Sequence, residues 1–150
     1  MKSEPDVFSF DDLKKAKNST TNWEGVRNYQ ARNFMRDEMQ VGDLVLFYHS
    51  SCDEPAVAGI AEVVKAAYPD PSSWDKKSDY YDEKSSLESP RWFMVDIKWK
   101  QNFKKAVTLK EIKKQKSLAK MRLIQKGNRL SIMPVMANEF EIIKKLGMKD

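Results

Sequence analysis

The pattern of apolar and polar positions predicts short helices and strands throughout the chain. Ser9 has Asp12 three positions after it, which is the spacing of a capping box at a helix start. Thr108 and Glu111 repeat that spacing before a later apolar block. Blocks with helical spacing predict helices from Ser9 to about Lys17, over 29–38, from Leu109, over 117–125 and over 138–146.

Four apolar runs bounded by turn residues predict strands. The first run follows a turn signal at Val41, Gly42 and Asp43. Gly59 lies inside the second run, where a glycine indicates a bulge or the close approach of another backbone. The predicted strands cover 44–48, 56–64, 91–99 and 129–135.

The stretch 66–89 shows neither helical nor strand periodicity. It is acidic and rich in Pro, Ser and Asp, and loops of this length inside a compact domain are usually functional or disordered. It also carries Trp74, Tyr80 and Tyr81. Large aromatic rings in a polar loop need burial, so these rings are expected to cover either the protein body or a ligand.

The order of the predicted elements favours the α+β class. Helices and strands do not alternate regularly, which argues against a doubly wound parallel sheet. A small, strongly bent sheet or open barrel surrounded by short helices fits better. The 150 residues are most simply one domain, 1–150. The expected core contains Leu46, Phe47, Ile60, Val95, Ile97, Phe140 and Ile143.

Composition excludes several classes of protein and of site. Apolar residues make up 41% of the chain, which is typical of a globular protein. No apolar run approaches the roughly 20 residues of a membrane span, so no membrane association is expected. His49 and Cys52 are the only residues of their types and cannot build a zinc site. We expect neither a metal nor a cofactor.

Charge is unevenly distributed along the chain, whose net charge is +5. Between Lys98 and Arg129 there are twelve basic residues and a single acid, Glu111. Such a tract would attract a polyanion such as a nucleic acid. A solvated, lysine-rich surface is an equally good interpretation of the same residues.

The segment 23–33 carries the strongest functional signal. Burying Arg27, Asn28 and Arg32 without partners would cost about 1–3 kcal/mol each, so an ordinary core segment would not contain them. The combination of Trp23 with these residues suits a concave site that stacks a ring and binds its polar edge. The alternative is that Trp23 fills the core while Asn28 caps the helix that follows.

Five stretches, taken together and in this order, resemble the EVE domain family: Lys2 to Pro5, Trp23 to Asn33, Val41 to Asp43, Tyr48 to Ser50 and Arg129 to Ser131. The resemblance covers almost the whole chain. It implies a PUA-like fold, with a curved and largely antiparallel sheet closing toward a barrel. Related YTH domains read a methylated adenine in RNA, and other PUA-like domains read modified cytosine in DNA.

The resemblance also implies a set of site residues. Lys2 and Ser3 correspond to a pair that lines the pocket of YTH-like domains, and Trp23 corresponds to one wall of their aromatic cage. Trp74 is the best match for a second wall, with Tyr80 and Tyr81 as rivals. The implied base pocket is Lys2, Ser3, Trp23, Asn28, Tyr48, Ser50 and Trp74. The implied phosphate contacts are Arg27, Arg32 and Arg129.

The function implied is a non-catalytic reader of modified cytosine or adenine in DNA or RNA. Two other classes remain open. A hydrolase acting on a modified nucleoside would use carboxylates such as Glu4, Glu24 or Glu62, and a protein-interaction module would leave the pocket unused. The protein is expected to be a monomer, cytoplasmic if it is bacterial and nuclear if it is eukaryotic.

Overall fold

A five-stranded mixed sheet organises the computed structural model, which describes residues 1–150. Its strands are β1 (Lys2–Ser3), β2 (Thr20–Asn22), β3 (Leu44–His49), β4 (Ala56–Pro69) and β5 (Phe93–Thr108). They lie in the order β1-β3-β4-β5-β2, with β1 parallel to β3 and every other pair antiparallel. The sheet is open, because β1 and β2 remain edge strands.

Helices and tighter turns surround this sheet. The α-helices are α1 (Phe10–Lys15), α2 (Tyr29–Asn33), α3 (Leu109–Lys114) and α4 (Ala137–Met148). A π-helical turn, Phe34–Glu38, continues α2. Short 3₁₀ turns cover Lys17–Ser19, Pro71–Ser73, Lys116–Leu118 and Arg122–Ile124. None of these helices has the length and apolar content that a membrane span requires.

The two central strands, β4 and β5, are longer than the sequence predicts. They pair from Ala56 with Thr108 to Pro69 with Phe93, through several register shifts that bend the ribbon. The parts of these strands that lie beyond the predicted ends are 65–69 of β4 and 100–108 of β5, and most of their side chains are exposed. Backbone pairing holds these parts, and no regular apolar pattern marks them. The prediction that a loop begins at Ala66 is therefore wrong.

The predicted close approach at Gly59 is confirmed. A Cβ atom at Gly59 would lie 2.4 Å from the carbonyl oxygen of Gln101 and 2.4 Å from the ring of Phe10. A register shift between β4 and β5 also falls at this position. The absence of a side chain thus lets α1 pack directly on the sheet.

Two apolar clusters cover the sheet. Phe47 belongs to one cluster with Leu13 and Ile97, and its neighbour Leu46 belongs to the other with Ile60 and Ile143. Adjacent residues of a strand point to opposite faces, so β3 contributes to both clusters. Six of the seven predicted core residues are buried, and Phe140 is half-buried against the second cluster.

The predicted helix starts are confirmed by their hydrogen bonds. Ser9 and Asp12 form the capping box of α1, and the Thr108 side chain accepts the backbone N–H of Glu111 at the start of α3. The last helix, predicted over 138–146, spans Ala137–Met148, so Gly147 lies inside it. A Cβ atom at Gly147 would lie 2.3 Å from the Phe103 ring, so this glycine serves close packing and does not end the helix.

Two predicted elements are wrong. The helix over 117–125 is two separate 3₁₀ turns, which are anchored by buried Leu118 and Met121. The strand over 129–135 has no ladder, and a single backbone bond joins Lys2 N–H to the Ser131 carbonyl at 2.8 Å. Ile132 in this segment is fully buried, so packing and not strand pairing explains its apolar pattern.

Replacing Ile97 by alanine is expected to lower the free energy of unfolding by about 2–5 kcal/mol, because its side chain is fully buried in the sheet. Leu87→Ala is the control, since it removes as many carbon atoms from a side chain that is 68% exposed. Its effect should stay within about 0.5 kcal/mol. Urea denaturation measures both, and losses of equal size would contradict this core.

Candidate functional site

A polar cleft of about 500 Å³ opens where β1 and the end of β2 meet the loop between β4 and β5. β1 and the turn after it supply one side, and the segment following β2 supplies another. Tyr80 reaches in from the loop. The lining comprises Lys2, Ser3, Glu4, Val7, Phe8, Thr21, Asn22, Trp23, Glu24, Gly25, Val26, Arg27, Tyr80 and Ser131.

Trp23 forms one aromatic wall of this cleft. Its backbone N–H donates to the Val95 carbonyl at 2.8 Å, so the segment stays attached to β5 just beyond β2. The indole packs edge-on against Phe47, with ring centroids 5.6 Å apart, and against Phe8 at 6.4 Å. Trp23 is half-buried, so one part of it rests on the core while another lines the cleft.

Tyr80 supplies an aromatic ring to the cleft from the loop between β4 and β5. It covers Gly25, where a Cβ atom would lie 2.7 Å from the ring carbon Cζ of Tyr80. Gly25 also has φ of +83°, a conformation that side chains disfavour. The glycine is therefore required both for its own backbone and for the seat of Tyr80.

The Asp70 carboxylate, which is fully buried, joins two segments behind the cleft, residues 25–27 after β2 and residues 70–72 after β4. It accepts the Gly25 N–H at 2.9 Å and the guanidinium Nη1 of Arg27 at 3.2 Å. Its other oxygen accepts the N–H and the hydroxyl of Ser72 at 2.9 and 2.6 Å. These bonds fix the segment after β2 against the end of β4 and the loop beyond it.

Arg27 lines the cleft, but the protein occupies its donors. Nε donates to the Tyr80 carbonyl at 2.9 Å, and Nη2 donates to the Ser72 hydroxyl at 3.2 Å, in addition to the bond with Asp70. The side chain is only 22% exposed. The geometry therefore gives Arg27 the task of holding Tyr80 in place. Its predicted contact with phosphate stays a prediction.

Lys2 and Ser3 lie in the cleft at the end of β1. Burial lowers the pKa of the Lys2 ammonium from its ordinary value. The Ser3 hydroxyl donates to the Phe8 carbonyl, so its oxygen remains available as an acceptor. The backbone carbonyl of Ser3 accepts the N–H of Ser50 at 2.9 Å. Ser50 thus supports β1 without lining the cleft.

Three further predicted pocket residues lie outside the lining. Asn28 caps α2, its side-chain oxygen accepting the Ala31 N–H at 2.9 Å, which is the alternative role considered for it. Tyr48 is buried in the second apolar cluster, and burial raises the pKa of its phenol. Trp74 follows a 3₁₀ turn in the loop, where Tyr80 takes the place in the cleft that was expected for it.

The remaining predicted phosphate contacts also lie outside the lining. Arg129 is exposed in the segment after Gly127. Arg32 is close to the cleft, because its Cζ lies 5.7 Å from the ring of Trp92 and Arg27 lies 5.4 Å from the same ring. The structure therefore brings together Lys2, Ser3, Trp23 and Arg27 of the predicted set, with Arg32 beside them.

The histidine and the carboxylates of the chain are the residues that a hydrolase would use as general acid or base. His49 is engaged in the fold, since its Nε2 accepts the Phe10 N–H at 3.0 Å and burial lowers its pKa. Glu4 and Glu24 line the cleft and are exposed. Glu62 lies on β4 beside Lys100, outside the cleft.

Replacing Asp70 by asparagine is expected to lower the free energy of unfolding by about 2–4 kcal/mol. Asparagine keeps the size but leaves the guanidinium of Arg27 without a counter-charge in a partly buried position. Asp79→Asn is the control, because Asp79 is exposed in the same loop. Urea denaturation of both variants measures the effect, and equal stability would show that the Asp70 carboxylate does not hold the segments together.

Comparison with known proteins supports the sequence resemblance. The family model of the EVE domain matches residues 1–146. Thymocyte nuclear protein 1 of Danio rerio is 42% identical over 167 aligned residues, which cover all of this chain and 71% of that protein. The human protein of that name is 40% identical over 166 aligned residues, covering all of this chain and 73% of its own length.

Solved structures agree with this assignment. A protein from Pseudomonas syringae is 49% identical and has a TM-score of 0.91, with 97% of this chain and 96% of that chain covered. Human THYN1 in complex with 5-methylcytosine-containing DNA is 40% identical and has a TM-score of 0.93, with 100% and 96% covered. The α+β, PUA-like fold is thereby confirmed. With the family match extending over nearly its whole length, the chain belongs to the EVE domain family.

Proposed function

We propose that this protein is a non-catalytic reader that captures one modified nucleobase in the cleft between Trp23 and Tyr80. The observation that carries the proposal is the presence of two aromatic rings from distant segments on one polar cleft. An ordinary core would exclude the polar lining, and an ordinary surface would not require the rings. This combination is the one that stacks a base and binds its edge.

A solved relative indicates which base to test first. Human THYN1, 40% identical to this chain over its full length, was crystallised with DNA containing 5-methylcytosine. We infer that modified cytosine in DNA is the first candidate ligand. Modified adenine and RNA are the other members of the proposed class.

Stacking energies are sufficient for capture of a flipped base. Extruding a base from a duplex costs a few kcal/mol. Stacking on an aromatic side chain returns about 1–3 kcal/mol per base. One buried methyl group adds about 0.8 kcal/mol, so the modification itself should give several-fold discrimination.

Polar groups of the lining are suited to the edge of the base. The Lys2 ammonium supplies donors, and the Ser3 hydroxyl oxygen and the Glu24 carboxylate supply acceptors. Cytosine presents both kinds of group on its Watson–Crick edge, so these residues could orient it between the rings. Asn22 was not predicted, and Glu24 was named only for the hydrolase alternative, because the sequence does not show which neighbours of Trp23 face the cleft.

The proposal excludes turnover, and an assay separates it from the hydrolase alternative. Glu4 and Glu24 are the carboxylates in the lining, and a hydrolase would need one of them as a general acid or base. Incubation with modified nucleosides and oligonucleotides, followed by chromatography, should show no product. Formation of any product would favour the enzyme. The absence of nucleic-acid binding at physiological salt would favour an interaction module.

Trp23→Ala and Tyr80→Ala are each expected to weaken binding to a duplex with one 5-methylcytosine by roughly fivefold to a hundredfold, because each removes a stacking surface worth about 1–3 kcal/mol. Tyr81→Ala is the matched control, since Tyr80 and Tyr81 are adjacent and 40% and 39% exposed. Affinities for the methylated duplex and its unmodified twin are measured at one salt concentration.

The pocket variants should also lose discrimination between the two duplexes, while Tyr81→Ala keeps it. Trp23→Ala removes contacts with Phe8 and Phe47, so thermal melts accompany the binding data. We expect Trp23→Ala to impair binding more than stability. A large fall in melting temperature with unchanged binding would favour a purely structural Trp23.

The lysine tract provides a second test of where the nucleic acid lies. Changing the exposed Lys113, Lys114 and Lys116 together to glutamine should slow association at low salt and change affinity little near physiological salt. At physiological salt, electrostatic interactions are screened beyond about 8 Å, so charges remote from the cleft act weakly. If this triple variant loses more affinity than Arg32→Ala at physiological salt, the nucleic acid binds the lysine surface instead.

A further inference from the structure

Four of the six arginines of the chain lie around the first residues of β5 and the helical segment that begins with α2. Arg27 and Arg32 both lie over the Trp92 ring, and Arg36 lies 5.9 Å from the Phe93 ring. Arg91 precedes Trp92 in the chain. This arginine cluster adjoins the cleft, because Arg27 belongs to both.

Only half of the cluster is neutralised within the protein. Arg27 is paired with Asp70 at 3.2 Å, and Arg36 is paired with Asp37 at 2.8 Å. Arg32 and Arg91 have no carboxylate within 4 Å. Two adjacent positive charges therefore remain available to an external anion.

The acceptors that Arg32 and Arg91 do have are neutral and bring the two side chains together. Arg32 donates from Nη1 to the carbonyl of Arg91 at 2.8 Å and from Nη2 to Oδ1 of Asn33 at 2.8 Å. Arg91 donates from Nη1 to the Tyr29 hydroxyl at 3.1 Å. The Arg32 Cζ lies 4.8 Å from the Tyr29 ring centroid, so both side chains converge on Tyr29.

A rigid aromatic base holds these charges in place. Tyr29 stacks on Trp92 with centroids 4.7 Å apart and planes 19° apart, while remaining 50% exposed. Trp92 is buried, and its Nε1 donates to Asp82 at 2.7 Å. Burial first, and then the charges of Arg36 and Arg91, lower the pKa of Arg32, while Tyr29 and Asp37 act in the opposite direction. A bound anion would relieve this crowding of like charges.

We propose that Arg32 and Arg91 together bind one backbone phosphate of the nucleic acid whose base enters the cleft. The inference rests on the proposed function and assigns Arg91 a role that the sequence does not suggest. Guanidinium groups bind phosphate oxygens through paired N–H donors, and the Arg91 guanidinium donates only one hydrogen bond within the protein, to the Tyr29 hydroxyl. Arg32 of this clamp and Arg27 of the cleft wall both lie over the Trp92 indole, so the clamp adjoins the cleft.

Salt titrations of binding test the clamp. The probes are a fluorescent duplex with one 5-methylcytosine and its unmodified twin, at about 50 to 200 mM salt. Arg91→Ala should reduce the magnitude of the negative slope of log K against log salt by about 0.9. It should also weaken binding of both duplexes about alike, near eightfold at ~0.1 M. Arg91→Lys should retain the slope. Arg122→Ala is the matched control, being exposed, without a salt bridge and placed over Phe34, and should change neither.

A double variant tests whether the two arginines share one phosphate. Arg32→Ala alone should reproduce the effect of Arg91→Ala, and the pair together should lower the slope by about 0.9 and not by twice that amount. Arg91→Gln keeps a donor for Tyr29 without the charge, so it serves if the alanine variant is poorly folded. Arg91→Gln should reduce the magnitude of the slope by the same amount as the alanine variant does.

The outcomes separate the clamp from the base reader. If the unaltered protein prefers the methylated duplex but Arg91→Ala and Arg91→Gln leave the affinity and slope unchanged, the clamp is overturned and the proposed function stands. If the unaltered protein binds both duplexes alike, the base preference fails. A slope that still falls with Arg91→Ala would then support the phosphate contact alone.

Discussion

The candidate site depends on one buried charge, the carboxylate of Asp70. A carboxylate enclosed in protein is stable only when cations and N–H donors surround it. Two of those donors come from Gly25 and Arg27, which lie 45 and 43 residues from Asp70 in the chain, and the others come from nearby Ser72. Satisfying the charge therefore holds the segment after β2 against the end of β4.

The position of the Tyr80 wall follows from this contact. Arg27 can hold the Tyr80 carbonyl because Asp70 holds Arg27, and Gly25 lies under the Tyr80 ring because its N–H reaches the same carboxylate. The long β4 and β5 strands place Asp70 opposite the start of β5, where its N–H donates to the Trp92 carbonyl. The sheet thus brings these segments close together, and the Arg27–Asp70 ion pair with its hydrogen bonds fixes Tyr80 in the cleft wall.

Local features were predictable from sequence, and features that join distant segments were not. The N-caps of α1 and α3, the Gly59 approach and the cleft position of Trp23 are encoded within a few residues or within a family motif. Asp70 and Gly25 are 45 residues apart, and no local pattern marks their bond. The strand predicted over 129–135 was wrong because a local apolar pattern does not show how a residue is buried. Ile132 is buried by packing without a strand partner.

The arginines show why residue type alone does not assign a role. Arg27 and Arg32 have the same chemistry and lie over the same indole, yet Asp70 neutralises one and no carboxylate neutralises the other. A paired, largely enclosed guanidinium shapes a site, whereas an unpaired one keeps its charge for a ligand. Under the proposed function, selectivity for the base would reside in the cleft wall formed by Tyr80, which Arg27 positions, together with Trp23. Under the proposed clamp, salt-dependent affinity would reside in the charges around Tyr29, so the two properties could be altered by separate substitutions.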